Sequence, residues 1–222
     1  MIELKFITFR DADKIVLNGI DLVLKSQQKL VLTGPSGSGK SSIIKIIIGA
    51  MIPQAGIYKF EDTPVDAGNI HSVRSKIAFV GQEPILGGEI VLDALMLPFR
   101  YKQNKNLKPE LKKVEELMTR LSLNPEILNQ EVAKLSGGEK QRLAIIRALL
   151  LNKKLFLLDE VTSALDSLSK QAVIQELSKP EYTVLSVSHD PEWIKQCDKV
   201  LVVEKGMILE STSKSAGGNS GN

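Results

Sequence analysis

Apolar positions along the chain fall into two patterns. Ile2 to Phe9, Gly19 to Leu24 and Ile57 to Phe60 read as short strands, with Pro53-Gln54-Ala55-Gly56 as the turn ahead of the third, and predict an antiparallel layer near the N-terminus. Lys29 to Thr33, Ile77 to Val80, Leu155 to Leu158 and Val184 to Val187 are instead apolar, β-rich runs separated by helical stretches, as in a largely parallel sheet buried on both faces. Together they predict an α/β protein.

Between Gln82 and Leu135 the pattern changes. Pro98 to Pro109 is polar and basic, whereas Glu110 to Leu123 carries Leu111, Val114, Leu117, Met118 and Leu121 at helical spacing. This predicts a small helical subdomain, about residues 83–134, inserted into a core made of 1–82 and 135–210, so that 1–210 forms one domain. Residues 211–222, dominated by Ser, Gly and Asn, are too poor in apolar groups to pack and are expected to form a disordered tail.

Composition changes this picture little but excludes several classes. With 43% hydrophobic and 25% charged residues in 222, the chain is neither disordered nor fibrous. A net charge of +3 gives no case for nucleic acid, and the lysines from Lys102 to Lys113 read as a solvated face. The lone Cys197 rules out an internal disulfide framework and suits a reducing compartment. No signal peptide is read ahead of Ile2 to Thr8, and the densest apolar run, Ile43 to Ile52, contains Lys45 and falls short of the ~20 residues of a membrane span. If this chain serves transport, another chain must cross the membrane.

The chemistry is concentrated in a few motifs. Gly34, Pro35, Ser36, Gly37, Ser38, Gly39, Lys40 and Ser41 match G-x-x-x-x-G-K-S/T between the strand ending at Thr33 and a helix expected over Ser42 to Ile48. Glycines let backbone N–H groups curl around phosphates, and the helix N-terminus favours negative charge. Lys40 is placed to neutralise β- and γ-phosphate oxygens, Ser41 to ligate Mg²⁺ and Ser42 to reach the α-phosphate. Leu155 to Glu160 supplies a buried strand that delivers Asp159 to the magnesium side and Glu160, the candidate general base, to the attacking water. In Leu135 to Arg142, LSGGEKQR, Ser136, Gly137 and Gly138 open a helix whose N-terminus can grip a phosphate.

Taken in order, Gly34 to Ser41, Gln82, Leu135 to Arg142, Leu155 to Glu160, Ser163-Ala-Leu-Asp166 and His189 resemble the ATP-binding cassette family across nearly the whole chain. The resemblance implies a P-loop NTPase of that type, with a mixed-sheet core, an N-terminal antiparallel β subdomain and an inserted helical subdomain. It implies an ATPase subunit that uses ATP and Mg²⁺ and pairs head to tail in a homodimer, with Ser136, Gly137 and Gly138 acting in trans. It also implies that Gln82 contacts the magnesium and water region, that Asp166 communicates across the dimer and that His189 touches the γ-phosphate. The family's usual adenine-stacking ring falls near Asp11 here; Phe9 is the nearest ring, although its place in Phe-Ile-Thr-Phe also suits a core residue.

Closer similarity is to the YbbL-like, iron-export-type ATPase subunits of bacteria, in the phosphate loop, in Gln82 to Phe99 and in Asp159 to Asp166. It implies a separate integral membrane permease docked on the helical subdomain, a peripheral place on the cytoplasmic face of the membrane, and iron as cargo by analogy only. Gln130-Glu-Val-Ala133-Lys134 lacks the Gly-Glu-x-Gly of fused multidrug-type exporters, which also argues for a separate permease. An ATPase switch that gates a soluble partner uses the same motifs and stays open as the rival reading.

Overall fold

A computed structural model describes residues 1–213. The chain runs β1 (Ile2–Asp11), β2 (Lys14–Leu24), β3 (Lys29–Thr33), α1 (Lys40–Ile47), β4 (Ala55–Phe60), β5 (Thr63–Pro64), α2 (Ile70–Lys76) and β6 (Ile77–Val80). It continues with α3 (Val91–Met96), α4 (Leu111–Arg120), α5 (Gly137–Leu150), β7 (Leu155–Asp159), α6 (Ser167–Leu177), β8 (Thr183–Val187), α7 (Pro191–Gln196), β9 (Lys199–Glu204) and β10 (Met207–Ser213). The strands form two sheets, an antiparallel one ordered β2-β1-β4-β5 and a mixed one ordered β10-β9-β3-β8-β7-β6.

Alternation along the mixed-sheet strands sends side chains to two separate cores. Leu30 and Leu32 of β3, Leu155 and Leu157 of β7 and Leu185 and Val187 of β8 join Ile43, Ile44 and Ile47 of α1 and the inner face of the antiparallel sheet. Val31, Phe156, Leu158 and Val184 point the other way, into a core with α5, α6, Trp193 and the helical segment's Val91, Leu95, Val114, Leu117 and Met118. The helical insert therefore has no core of its own but packs on the face of the sheet that α5 also covers.

The structure extends several expected elements. β2 begins at Lys14, five residues before Gly19, because β1 and β2 pair as far as Asp11 and Lys14 in one long hairpin. β9 was not expected, although Val200 to Val203 is a continuous apolar run; it lies parallel to β3, with Leu30 opposite Lys199 and Thr33 opposite Val202. The expected tail is corrected at its start: Ser211, Thr212 and Ser213 pair with Leu201, Val200 and Lys199. Strand pairing uses backbone N–H and C=O groups, which a Ser- and Thr-rich sequence supplies as well as any other. Residues 214–222 lie outside the described residues.

Candidate nucleotide site

Parallel register sets the site. β6 pairs with β7, Val80 opposite Leu158; β7 pairs with β8, Asp159 opposite Val187; and β8 pairs with β3, Val187 opposite Leu32. The four strands therefore end level, and whatever follows them lies along one edge: Gln82 after β6, Glu160 after β7, His189 after β8 and the loop from Gly34 after β3. Ligands of parallel α/β sheets bind at this carboxyl edge.

The loop from Gly34 to Gly39 is wedged between its neighbours. Gly34 has φ 130°, and the space a Cβ would need is filled by the backbone carbonyl of Val203 on β9. Gly39 has φ 107°, with Leu17 Cδ2 2.6 Å and the Val16 carbonyl 2.9 Å from its Cβ position. Only glycine accepts both the backbone angle and the close approach. Lys40, only 5% exposed, curls back so that its ammonium donates to the carbonyls of Gly34 at 2.7 Å and Pro35 at 2.8 Å. Burial lowers its pKa, against the pull of Glu160 and Asp159. Ser38 beside it has a buried hydroxyl without a hydrogen-bond partner, while Ser41 and Ser42 are partly buried at the start of α1.

Two carboxylates meet this loop with different surroundings. Asp159 is buried and accepts a hydrogen bond from the Ser41 hydroxyl at 3.1 Å; burial raises its pKa, and the Ser41 bond opposes that. Glu160 follows with φ 51°, the left-handed region, which costs a non-glycine residue roughly 1–2 kcal/mol. Its N–H donates to Val187 C=O at 2.9 Å, and its own C=O accepts from the Ser163 N–H and hydroxyl at 3.2 and 2.8 Å, so tertiary contacts hold the strained turn. The Glu160 carboxylate accepts from the Gln82 amide at 3.3 Å. His189 is exposed and lines with Glu160, Ser163, Lys170 and Asp190 a cleft of about 200 Å³.

The signature segment is built differently. Ser136 caps α5 in a capping box: its hydroxyl accepts from Glu139 N–H at 3.3 Å, and its own N–H and hydroxyl donate to the Glu139 carboxylate, both at 2.8 Å. These bonds hold the Glu139 pKa below the usual carboxylate value. Nothing lies within 4 Å of a Cβ placed on Gly137, and Gly138 would meet only Ala164 and Leu165. Asp166 caps α6, accepting from the Ser169 N–H and hydroxyl, with Arg142 at 3.7 Å. Within one chain, Ser136, Gly137 and Gly138 line neither the cleft at Glu160 nor the one beside the phosphate loop.

That second cleft, about 460 Å³, is lined by Lys14, Ile15, Val16, Glu204 and the loop's Pro35 to Ser38. Phe9 does not reach it; paired opposite Leu17, it packs on the core under the antiparallel sheet, and Asp11 ends β1 opposite Lys14.

Sequence reading missed two sets of supporting residues. Arg147 of α5 donates to the carbonyls of Leu86 at 2.6 Å and Ile85 at 3.0 Å, and Gln141 to the carbonyl of Gly81 at 3.3 Å, so α5 carries the loop that holds Gln82. Lys170 of α6 pairs with Asp190, the residue after His189, at 2.8 Å. The available signal was a polar residue on a covered helix face, such as Gln141 at 2% exposure, which says that a partner exists and not which one.

A family model described as ABC transporter matches residues 17–163. The chain is 34% identical over 208 residues to the Probable iron export ATP-binding protein FetA of Escherichia coli (strain K12), covering 92% of this chain and 91% of that protein. It is 37% identical over 220 residues to Multidrug resistance protein 1 of Entamoeba histolytica, covering 94% of this chain but 17% of that protein. A dimeric structure of a post-hydrolysis state of the ATP-binding cassette MJ0796 bound to ADP and Pi superposes with TM-score 0.84 at 27% identity, over 98% of this chain and 100% of that one. A bacterial Atm1-family ABC exporter with ATP bound gives 0.85 at 25% identity, over 96% of this chain and 38% of that one. The chain belongs to the ABC transporter family and is one of its ATP-binding, ATP-hydrolysing cassettes.

Proposed function

We propose that this cassette energises a separate integral membrane permease by closing head to tail with a second copy around two ATP molecules, and that iron export, named in the Escherichia coli relative, is the transport served. The observation that carries the reading is the division within one chain: Gln82, Glu160 and His189 stand in a row beside the phosphate loop, while Ser136 to Gly138 open a helix outside both clefts. The dimeric form of the superposing cassette supports the pairing. Among the described residues no helix is long and apolar enough to cross a membrane; docked on the permease, the cassette would take a peripheral place on the cytoplasmic face.

In this reading the backbone of residues 34–39 and Lys40, released from the Gly34 and Pro35 carbonyls, hold the β- and γ-phosphates, and Ser42 the α-phosphate. Glu160 accepts a hydrogen bond from the attacking water, with Gln82 orienting its carboxylate. His189 donates to the γ-phosphate. Ser136, Gly137 and Gly138 bind the same phosphate from the partner, and Asp166 faces the dimer seam. The residues fit Mg²⁺: the Ser41 hydroxyl, the Asp159 carboxylate and the Gln82 amide oxygen are hard oxygen donors, and Ser41 and Asp159 already lie 3.1 Å apart. Among the described residues no group of three or more His, Cys, Asp or Glu could hold a metal, so the ion would rely on phosphate oxygens and water for its other ligands. When bound, it neutralises phosphate charge.

Glu160→Gln should bind ATP normally, lose at least ~100-fold in turnover and accumulate as an ATP-bound dimer in light scattering. Wild-type turnover in that variant removes Glu160 as the base. Co-purification with a multi-span protein whose iron efflux requires this ATPase tests the transport half; a soluble partner in its place selects the switch reading.

A further inference from the structure

His189 is exposed, yet the backbone on both sides of it is fixed. Ser188, 4% exposed, donates its N–H to the Leu32 carbonyl of β3 at 3.2 Å, and its hydroxyl accepts from the Asp190 N–H at 3.1 Å. One carboxylate oxygen of Asp190 caps α7, accepting from Glu192 N–H at 2.9 Å and Trp193 N–H at 3.4 Å. The other takes the Lys170 ammonium at 2.8 Å, with 8% of the Asp190 side chain and 25% of that of Lys170 exposed.

Lys170 leads back to another motif. Its backbone N–H donates to the Asp166 carbonyl at 2.8 Å in the first turn of α6, which Asp166 also caps. A continuous chain thus runs from Asp166 through Lys170 and Asp190 to the backbone around His189. Lys170 and Asp190 also line the same cleft as Glu160 and His189.

We propose that Lys170 and Asp190 are positioning residues: their ion pair holds the His189 imidazole toward Glu160 and makes its placement depend on α6, and therefore on Asp166. The proposal rests on the reading that His189 acts at the γ-phosphate and that Asp166 lies at the dimer seam. Burial alone would raise the Asp190 pKa; Lys170 and the two α7 N–H donors outweigh it and hold the carboxyl below its ordinary value. The cap alone does not need the charge, because an asparagine caps a helix about as well as an aspartate. A largely shielded pair such as this also adds little net stability, because desolvation of the two charges offsets much of their attraction. What the charge adds is a fixed link between two helices, and a shift of about 1 Å in a catalytic group costs up to ~100-fold in rate.

The test separates position from stability. Lys170→Met and Asp190→Asn should each lower kcat roughly tenfold with KM for ATP within about twofold, and the double variant should fall no further, since both break one link. Lys170→Arg should keep most of the turnover. Asp190→Asn retains the cap, so it carries the test even if Lys170→Met folds poorly. The chain has two histidines, His71 and His189, so imidazole nitrogen NMR on intact protein reads position without activity. Each single variant should shift or broaden the His189 signal and leave that of His71 unchanged. An unmoved His189 signal, full turnover in Asp190→Asn, or multiplicative losses in the double variant overturns the positioning role. His189→Ala with normal turnover instead overturns the reading of His189 beneath it.

Discussion

The phosphate loop and the signature segment both present backbone N–H groups at the start of a helix, but one is enclosed and the other open. Around Gly34 to Lys40 the neighbours are tertiary: Val203 from β9, Val16 and Leu17 from β2, and the lysine folded over its own loop. Around Ser136 to Gly138 the contacts are nearly all local, through Glu139 three residues on, and a Cβ on Gly137 would touch nothing. An anion site whose walls come from its own chain is formed before the ligand arrives. A helix start left open on a folded domain still lacks its second wall, which a partner copy can supply. The same residue chemistry therefore stands in two settings, and burial distinguishes them.

Paired glycine substitutions should break this symmetry most sharply. Gly34→Ala puts a Cβ into the Val203 carbonyl at a φ of 130° and should cost about 3 kcal/mol or more, lowering Tm by roughly 6–12 °C for a domain of this size. Gly137→Arg meets open space within the chain and should leave Tm within about 2 °C, yet abolish dimer-dependent turnover while the monomer binds ATP normally. Calorimetry and ATP titration on the two proteins suffice; a large Tm loss in Gly137→Arg would mean that the signature is a buried structural element.

A middle-sized effect belongs to the connection between the two regions. Arg147 reaches two loop carbonyls from the helix that the signature opens, and burial lowers its pKa. Arg147→Met should cost ~1–3 kcal/mol and speed hydrogen exchange of the backbone amides in 82–88, with Gln82 no longer steady against Glu160. Unchanged exchange there would show that the Arg147 bonds do not hold the loop.

The sequence made the strand ends legible but not what braces them. Leu155 to Leu158 and Val184 to Val187 are recognisable because a strand buried on both faces is predominantly apolar, and register alone then brings Gln82, Glu160 and His189 to one edge. Lys170 and Arg147 were illegible because a charged residue at a helical position reads as solvated until the topology places Asp190 or the Ile85 carbonyl beside it. β9 was missed although its apolar run was present, and the pairing of Ser211 to Ser213 could not be read, since backbone pairing leaves no mark on composition.

The smallest effect concerns the open region alone. The Glu139 carboxylate is held ionised by Ser136 N–H and hydroxyl, so its folded pKa lies below the ordinary glutamate value. A depressed carboxyl pKa contributes stability that is present above the unfolded value and lost as pH falls through the lower, folded value. Glu139→Gln keeps an acceptor but not the charge, so it should cost ~1 kcal/mol or less at neutral pH and become equal to wild type in Tm toward pH 3. The phosphate loop offers no such comparison, because its ammonium is buried among carbonyls rather than paired at the surface. The carboxylate also occupies the end of α5 where a partner's γ-phosphate would arrive, and two anions cannot share those donors. Glu139→Gln in a Glu160→Gln background should therefore dimerise at a lower ATP concentration than Glu160→Gln alone. An equal or higher concentration would show that Glu139 stays on Ser136 when the signature engages its ligand.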